Sequence, residues 1–236
     1  MDPRDRLIVA LDTASLARAE AIADDLSGIV RWYKIGPHLF TAAGPAAVTA
    51  LLRRGRIFLD LKFHDIPSVV SSGVEAAADM GASLCTVHTL GGTAMMRAAR
   101  EGAAAGSPPE RPPMRVIGVT VLTSTSSAVL EEMGLSGAPQ ALAVRLARLA
   151  KDAGLAGVVT SPLEAEAIRR ACGRGFLLVC PGIRPEGAER RDQHRVDTPR
   201  AAIRAGADVL VVGRPITLAN DPRAAADEIL EQIAGA

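Results

Sequence analysis

Eight short, continuously apolar runs punctuate this chain, each followed by an Ala-rich stretch with helical spacing. The runs are Leu7–Leu11, Arg31–Ile35, Arg56–Leu61, Ser83–Val87, Arg115–Val121, Gly157–Thr160, Gly175–Val179 and Asp208–Val212. They do not alternate apolar with polar residues, so they read as parallel strands covered on both faces. Helices are predicted over Ser15–Leu26, Pro45–Arg54, Ser68–Met80, Gly92–Glu101, Pro139–Ala153, Pro162–Ala171, Pro199–Ala205 and Pro222–Ile233. Ser15 suits an N-cap, and Gly28, Gly55, Gly81, Gly154, Gly173 and Gly206 stand where helices should end. Eight strand–helix units in 236 residues predict one α/β domain, a (β/α)8 TIM barrel over residues 1–236. The alternative is an open doubly wound sheet, but no Gly-x-Gly-x-x-Gly follows the first strand.

The barrel also explains where the polar residues fall. Asp12, Lys34, Asp60 with Lys62, His88, Thr123, Ser161, Pro181-Gly182 and Gly213-Arg214 all stand at or just past the C-terminal ends of strands. A barrel gathers those ends at one mouth, where its active site lies.

The densest of these clusters is Phe58-Leu59-Asp60-Leu61-Lys62-Phe63-His64-Asp65-Ile66-Pro67. Asp60 and Lys62 are two apart, so on a regular strand they share a face. A carboxylate and an ammonium on an apolar wall need each other, because desolvating either alone is costly. This much is also met by a structural ion pair. Lysine usage adds weight: the chain has 24 Arg but only Lys34, Lys62 and Lys151. Arg stays charged, whereas Lys exchanges its proton when its environment is tuned. Lys34 and Lys62 sit at strand ends, while Lys151 lies in a polar helical stretch. Base composition of the gene is a competing explanation of the Arg excess.

A second group suits an anion. Gly213 at the last strand's end lets backbone N–H groups approach a phosphate, and Arg214 offers a bidentate partner. Barrels often place a phosphate site after strands seven and eight. The long segment Pro181–Asp197 contributes Arg184 and Gln193, with Arg190, Arg191, His194 and Arg195, and has the length of a lid. Its alternative is a solvated loop. Asp12 suits either a helix cap or sugar hydroxyls, and Thr123 and Ser124 suit polar base edges. His64 and His88 are expected to be structural. Ser107–Pro113 reads as an inert connector.

Composition excludes other classes. The net charge of +1 and 3% aromatics leave neither a basic surface nor stacking platforms for nucleic acid. Cys85, Cys172 and Cys180 lack metal-ligand spacing, and Cys85 and Cys180, in or beside apolar strands, read as buried thiols of a reducing cytoplasm. No metal cluster is expected. The polar N-terminus does not read as a signal peptide, and no apolar run approaches membrane-spanning length.

Taken in order, these residues resemble the orotidine 5′-monophosphate decarboxylase family along essentially the whole chain. The signature is Asp60-Leu61-Lys62-Phe63-His64-Asp65-Ile66-Pro67. The shorter landmarks are Leu11-Asp12, Tyr33-Lys34-Ile35-Gly36, Val121-Leu122-Thr123-Ser124, Pro181-Gly182-Ile183-Arg184-Pro185, Asp192-Gln193 and Val212-Gly213-Arg214-Pro215-Ile216. The resemblance implies a cofactor-free decarboxylation of orotidine 5′-monophosphate to uridine 5′-monophosphate. It implies a charge network of Lys34, Asp60, Lys62 and Asp65, with Lys62 as proton donor and Asp65 reaching in from the other subunit of a homodimer. Asp12 would hold ribose, Thr123 and Ser124 the pyrimidine, and Arg184, Gln193, Gly213 and Arg214 the phosphate. Ile66 and Pro181 would complete the substrate contacts. Two readings compete. Magnesium-dependent ketogulonate-phosphate decarboxylases and hexulose-phosphate synthases share Asp-x-Lys-x-x-Asp but are expected to carry an acidic residue where Lys34 stands. A non-catalytic nucleotide sensor would be expected to have lost part of the charge network.

Overall fold

The computed structural model describes residues 1–184 and 197–236. Eight parallel strands close into a barrel in sequence order: β1 (Leu7–Ala10), β2 (Trp32–Ile35), β3 (Arg56–Phe63), β4 (Leu84–His88), β5 (Arg115–Val119), β6 (Gly157–Val159), β7 (Leu177–Cys180) and β8 (Val209–Val212). Pairing of β1 with β8 makes the closure. The helices are α1 (Leu16–Asp25), α2 (Pro37–Ala43), α3 (Pro45–Leu52), α4 (Pro67–Asp79), α5 (Gly92–Gly106), α6 (Ser127–Glu132), α7 (Pro139–Asp152), α8 (Pro162–Cys172), α9 (Pro199–Arg204), α10 (Arg214–Thr217) and α11 (Pro222–Ala234). The predicted (β/α)8 TIM barrel is therefore the observed architecture.

Local chemistry sets the boundaries. Among the described residues, seven α-helices begin on proline, whose missing N–H is no loss in a first turn. Ser15 caps α1 by accepting the Arg18 N–H at 3.2 Å. Ser161 caps α8 in a reciprocal capping box with Glu164, so it serves the helix. Of the predicted helix-ending glycines, Gly28, Gly81, Gly154, Gly173 and Gly206 have positive φ, and Gly55 does not. The short helices α2, α6 and α10 were not expected, because they are too brief to show a full apolar period. Helix α5 continues past the predicted end at Glu101 to Gly106, since its Ala-Gly tail packs on α4.

Apolar burial forms two shells. Inside the barrel lie Ile8, Ala10, Trp32, Phe58, Leu84, Ile117, Leu177, Val179, Val209 and Val211. Their strand neighbours, such as Leu7, Val9, Tyr33, Ile57 and Leu59, face the helices in the larger outer core. Because side chains alternate, the inward positions after Trp32 and Phe58 are Lys34 and Asp60. The barrel's apolar filling thus ends, on β2 and β3, in two charged groups at the C-terminal mouth.

Helices α4 and α5 pack closely through small residues. A Cβ on Gly102 would lie 2.2 Å from the Ser71 carbonyl oxygen, and one on Gly106 would lie 2.2 Å from that of Glu75. No side chain fits without separating the helices. Gly102→Ala is expected to destabilise the protein by about 1–3 kcal/mol through overpacking, read as a lowered urea midpoint with little change in slope.

Candidate active site

Four alternating charges meet at the mouth. Lys34 Nζ lies 3.1 Å from Asp12 Oδ1 and 3.5 Å from Asp60 Oδ2, and Lys62 Nζ lies 2.9 Å from the same Asp60 oxygen. Lys34 and Asp60 are only 9% and 7% exposed, so their attraction is poorly screened. Burial alone would raise the Asp60 carboxyl. The Lys34 and Lys62 ammonium groups, with hydrogen bonds from Lys62 and Thr86, outweigh it and hold Asp60 below the ordinary carboxylate range. The pair expected from sequence is therefore part of a longer chain, Asp12–Lys34–Asp60–Lys62.

The route to that pair differs from the expected one. Strand β3 does not end at Leu61 but runs to Phe63, and its register with β4 shifts between Leu59 and Phe63. Lys62 sits inside this irregularity with φ of +53°. Simple two-residue alternation accounts for Asp60 but not for Lys62. Thr86, which sequence reasoning passed over, spans the irregularity: its hydroxyl donates to Asp60 Oδ1 at 2.9 Å and accepts the Lys62 N–H at 2.9 Å. The available signal was a lone hydroxyl in the apolar run of β4, beside the strand that carries Asp60. Gly36 was also missed. A Cβ there would lie 3.1 Å from Lys34 Nζ and 3.3 Å from Asp12 Oδ1, so its absence leaves room for that ion pair.

These charges line a cavity of about 230 Å³ that is also lined by Thr123, Pro181, Gly182, Arg184, Gly213 and Arg214. Arg184 is buried, and its segment is pinned beside Asp197 by two backbone hydrogen bonds, Arg184 N–H to Asp197 O at 3.0 Å and Asp197 N–H to Gly182 O at 3.3 Å. Gly213 caps the short α10, and Arg214 is its first residue. Thr160 lines the cavity as well, with its hydroxyl hydrogen-bonded to Glu164 at 3.1 Å. Ser124 is exposed and outside the cavity lining. Gln193, Arg190, Arg191, His194 and Arg195 lie outside the described residues.

Asp65 and Ile66 stand apart from the cavity of their own chain. Asp65 is exposed and accepts the Ile66 N–H at 2.6 Å, and Ile66 is 62% exposed. Val69 and Leu90 are exposed apolar residues on the same β3–α4 and β4–α5 corners. His64 and His88 pair with ring centroids 5.5 Å apart and do not line the cavity. Burial, then the neighbouring His64 and Lys62, push His88 below the usual imidazole value. All three cysteines are buried. Among the described residues, no group of three His, Cys, Asp or Glu side chains is arranged to hold a metal ion, and no helix is long and apolar enough to cross a membrane.

Comparison with known proteins agrees with this geometry. The profile of the family described as "Orotidine 5'-phosphate decarboxylase / HUMPS family" matches residues 5–229. An orotidine 5′-phosphate decarboxylase of Anaeromyxobacter sp. (strain K) is 52% identical over 230 residues, covering 97% of this chain and 98% of that protein. One of Halorhodospira halophila is 51% identical, covering 98% and 97%. The crystal structure of orotidine 5′-phosphate decarboxylase from Lactobacillus acidophilus superposes with a TM-score of 0.87 at 38% identity, covering 96% of this chain and 98% of that one. With a matching profile over nearly its full length, relatives at half identity and the same barrel, this chain belongs to the orotidine 5′-phosphate decarboxylase / HUMPS family.

Proposed function

We propose that this protein converts orotidine 5′-monophosphate to uridine 5′-monophosphate and carbon dioxide without a cofactor, as a cytoplasmic step of pyrimidine synthesis. The observation that carries this reading is the alternating Asp12–Lys34–Asp60–Lys62 chain in a cavity also lined by Arg184, Gly213 and Arg214. The names of the half-identical relatives support it. The magnesium-dependent phosphosugar chemistry fits less well. A divalent cation at Asp60 would meet two ammonium groups already on the same carboxylate oxygen.

In this mechanism the substrate carboxylate leaves as carbon dioxide and its bonding electron pair stays on the pyrimidine carbon. Asp60, ionised beside the leaving group, disfavours the bound carboxylate, and that repulsion is relieved as carbon dioxide forms. Lys62 offsets the developing charge and delivers a proton to the carbon. Its ion pair with Asp60 keeps it oriented. Asp12 and Lys34 hold ribose hydroxyls, Thr123 and Ser124 address the pyrimidine, and Pro181 lies against the ring. Gly213, Arg214, Arg184 and Gln193 take the phosphate, whose remote binding energy supports the chemistry at the ring.

The active unit is a homodimer. Asp65 is exposed and does not line the cavity of its own chain, and the apolar Ile66, Val69 and Leu90 are exposed at the β3–α4 and β4–α5 corners, as a contact surface requires. Asp65 of the partner subunit then completes the charge network beside Lys62, and Ile66 of the partner subunit covers the substrate.

The direct test is loss of orotidine 5′-monophosphate absorbance, with and without a chelator. Decay to uridine 5′-monophosphate that ignores the chelator is expected; no decay from folded dimer would refute the assignment and direct the search to magnesium and phosphosugars. Lys62→Ala is expected to lower kcat by more than about 10³-fold with the fold retained by circular dichroism. Near-normal turnover would remove Lys62 as proton donor. Mixing inactive Lys62→Ala with inactive Asp65→Asn should recover roughly a quarter of wild-type activity, because each hybrid dimer has one intact site. No recovery despite demonstrated subunit exchange would exclude a shared site.

A further inference from the structure

The β3–β4 ladder contains an uneven stretch. Leu59 pairs with Cys85, and the next pair is Phe63 with Val87. Strand β3 therefore has Asp60, Leu61 and Lys62 where β4 has Thr86 alone. A stretch with unequal residue counts leaves backbone groups without ladder partners. Lys62 enters it in the left-handed region, at φ of +53°, a conformation that non-glycine residues rarely adopt unless their surroundings hold them there.

Thr86 is fully buried, and both hydrogen bonds of its hydroxyl serve this stretch. A hydroxyl has one proton to give. That proton goes to Asp60 Oδ1 at 2.9 Å, while a lone pair receives the Lys62 N–H, also at 2.9 Å. The first bond requires an acceptor at Oδ1 and turns the other oxygen, Oδ2, toward both lysines, at 3.5 Å and 2.9 Å. The second gives the Lys62 amide a hydrogen-bond partner within the uneven ladder. One side chain thus fixes the carboxylate of Asp60 and the backbone from which Lys62 projects.

We propose that Thr86 is a positioning residue for the decarboxylation put forward above, a clamp that sets the Asp60 carboxylate and the left-handed Lys62 backbone relative to each other. It does not line the cavity, so it acts through Asp60 and Lys62. Its effect belongs to the chemical step, because the groups assigned to phosphate and ribose lie on other strands.

Thr86→Val keeps the shape and removes the hydroxyl; Thr86→Ser keeps the hydroxyl. The valine variant is expected to lose about 10²-fold in kcat, the scale of a small misplacement of reacting groups. KM and the affinity for uridine 5′-monophosphate should stay as in wild type. The acid limb of its kcat–pH profile should move upward, since Asp60 loses a hydrogen bond that favours its charged form. The serine variant should recover most of the rate. Hydrogen exchange at the Lys62 amide, measured in all three proteins, should be fast only in Thr86→Val. Wild-type kcat in Thr86→Val, a serine variant as impaired as the valine one, or unchanged Lys62 exchange in Thr86→Val would each overturn the clamp. If wild type itself leaves orotidine 5′-monophosphate intact, the proposed reaction fails, and the exchange measurement alone decides the clamp.

Discussion

A carboxylate, Asp60, buried between two ammonium groups is the constraint around which the mouth of this barrel is arranged. Desolvating one such ion costs several kcal/mol, and only close opposite charges and hydrogen bonds offset it. Asp60 has all of these: Lys34 and Lys62 on one oxygen, the Thr86 hydroxyl on the other. Each partner comes from a different place in the chain. Lys34 lies within β2, Thr86 lies within β4, and Lys62 follows on β3 itself. The barrel must close in register for the charge to be tolerated. Fold and site are coupled through this one group, and loss of either lysine would leave Asp60 undercompensated in an apolar wall.

The lysines are not equivalent. Lys34 is buried between two carboxylates, Asp12 and Asp60, with Gly36 leaving space beside its ammonium. Lys62 has a more exposed side chain, and Asp60 is its only carboxylate partner among the described residues. The first arrangement suits a fixed charge. The second suits a group that approaches a substrate and has room for another carboxylate, which is where the proposed dimer would bring Asp65. Arg could hold the first position electrostatically, but its planar fork and retained proton would not serve the second.

Much of this was legible in the sequence because its signals are local. Eight continuous apolar runs gave the strands, and proline, serine and glycine marked the helix boundaries. Asp60, Lys62 and Lys34 stood out as charges where apolar filling should continue. What was not legible depends on pairing between strands. No periodicity announces that β3 holds three residues against one on β4, so the left-handed Lys62 was invisible and Thr86 showed only as a lone hydroxyl in an apolar run. Thr86 fell inside the predicted strand Ser83–Val87 and was not singled out. Gly36 stood only in the Tyr33–Gly36 landmark, because its reason is a neighbour's ammonium. Ser161, taken from its position as a mouth residue, is consumed by the capping box of α8. Ser124 could be placed by resemblance, but its exposure in a single chain gives no geometric support to a contact with the pyrimidine.

The stability of the site and the strain it is proposed to apply share one cause. A buried carboxylate beside a second, substrate carboxylate would ordinarily escape repulsion by taking up a proton. Asp60 is denied that escape, because Lys34, Lys62 and Thr86 favour its charged form and hold its proton affinity below the ordinary range. In the proposed reaction the repulsion is relieved by losing the other carboxylate as neutral carbon dioxide. The electron pair left behind is, in that reaction, protonated by Lys62, the more exposed of the two lysines that line the cavity. The interactions that let the fold tolerate Asp60 are the same ones that keep it ionised when substrate arrives.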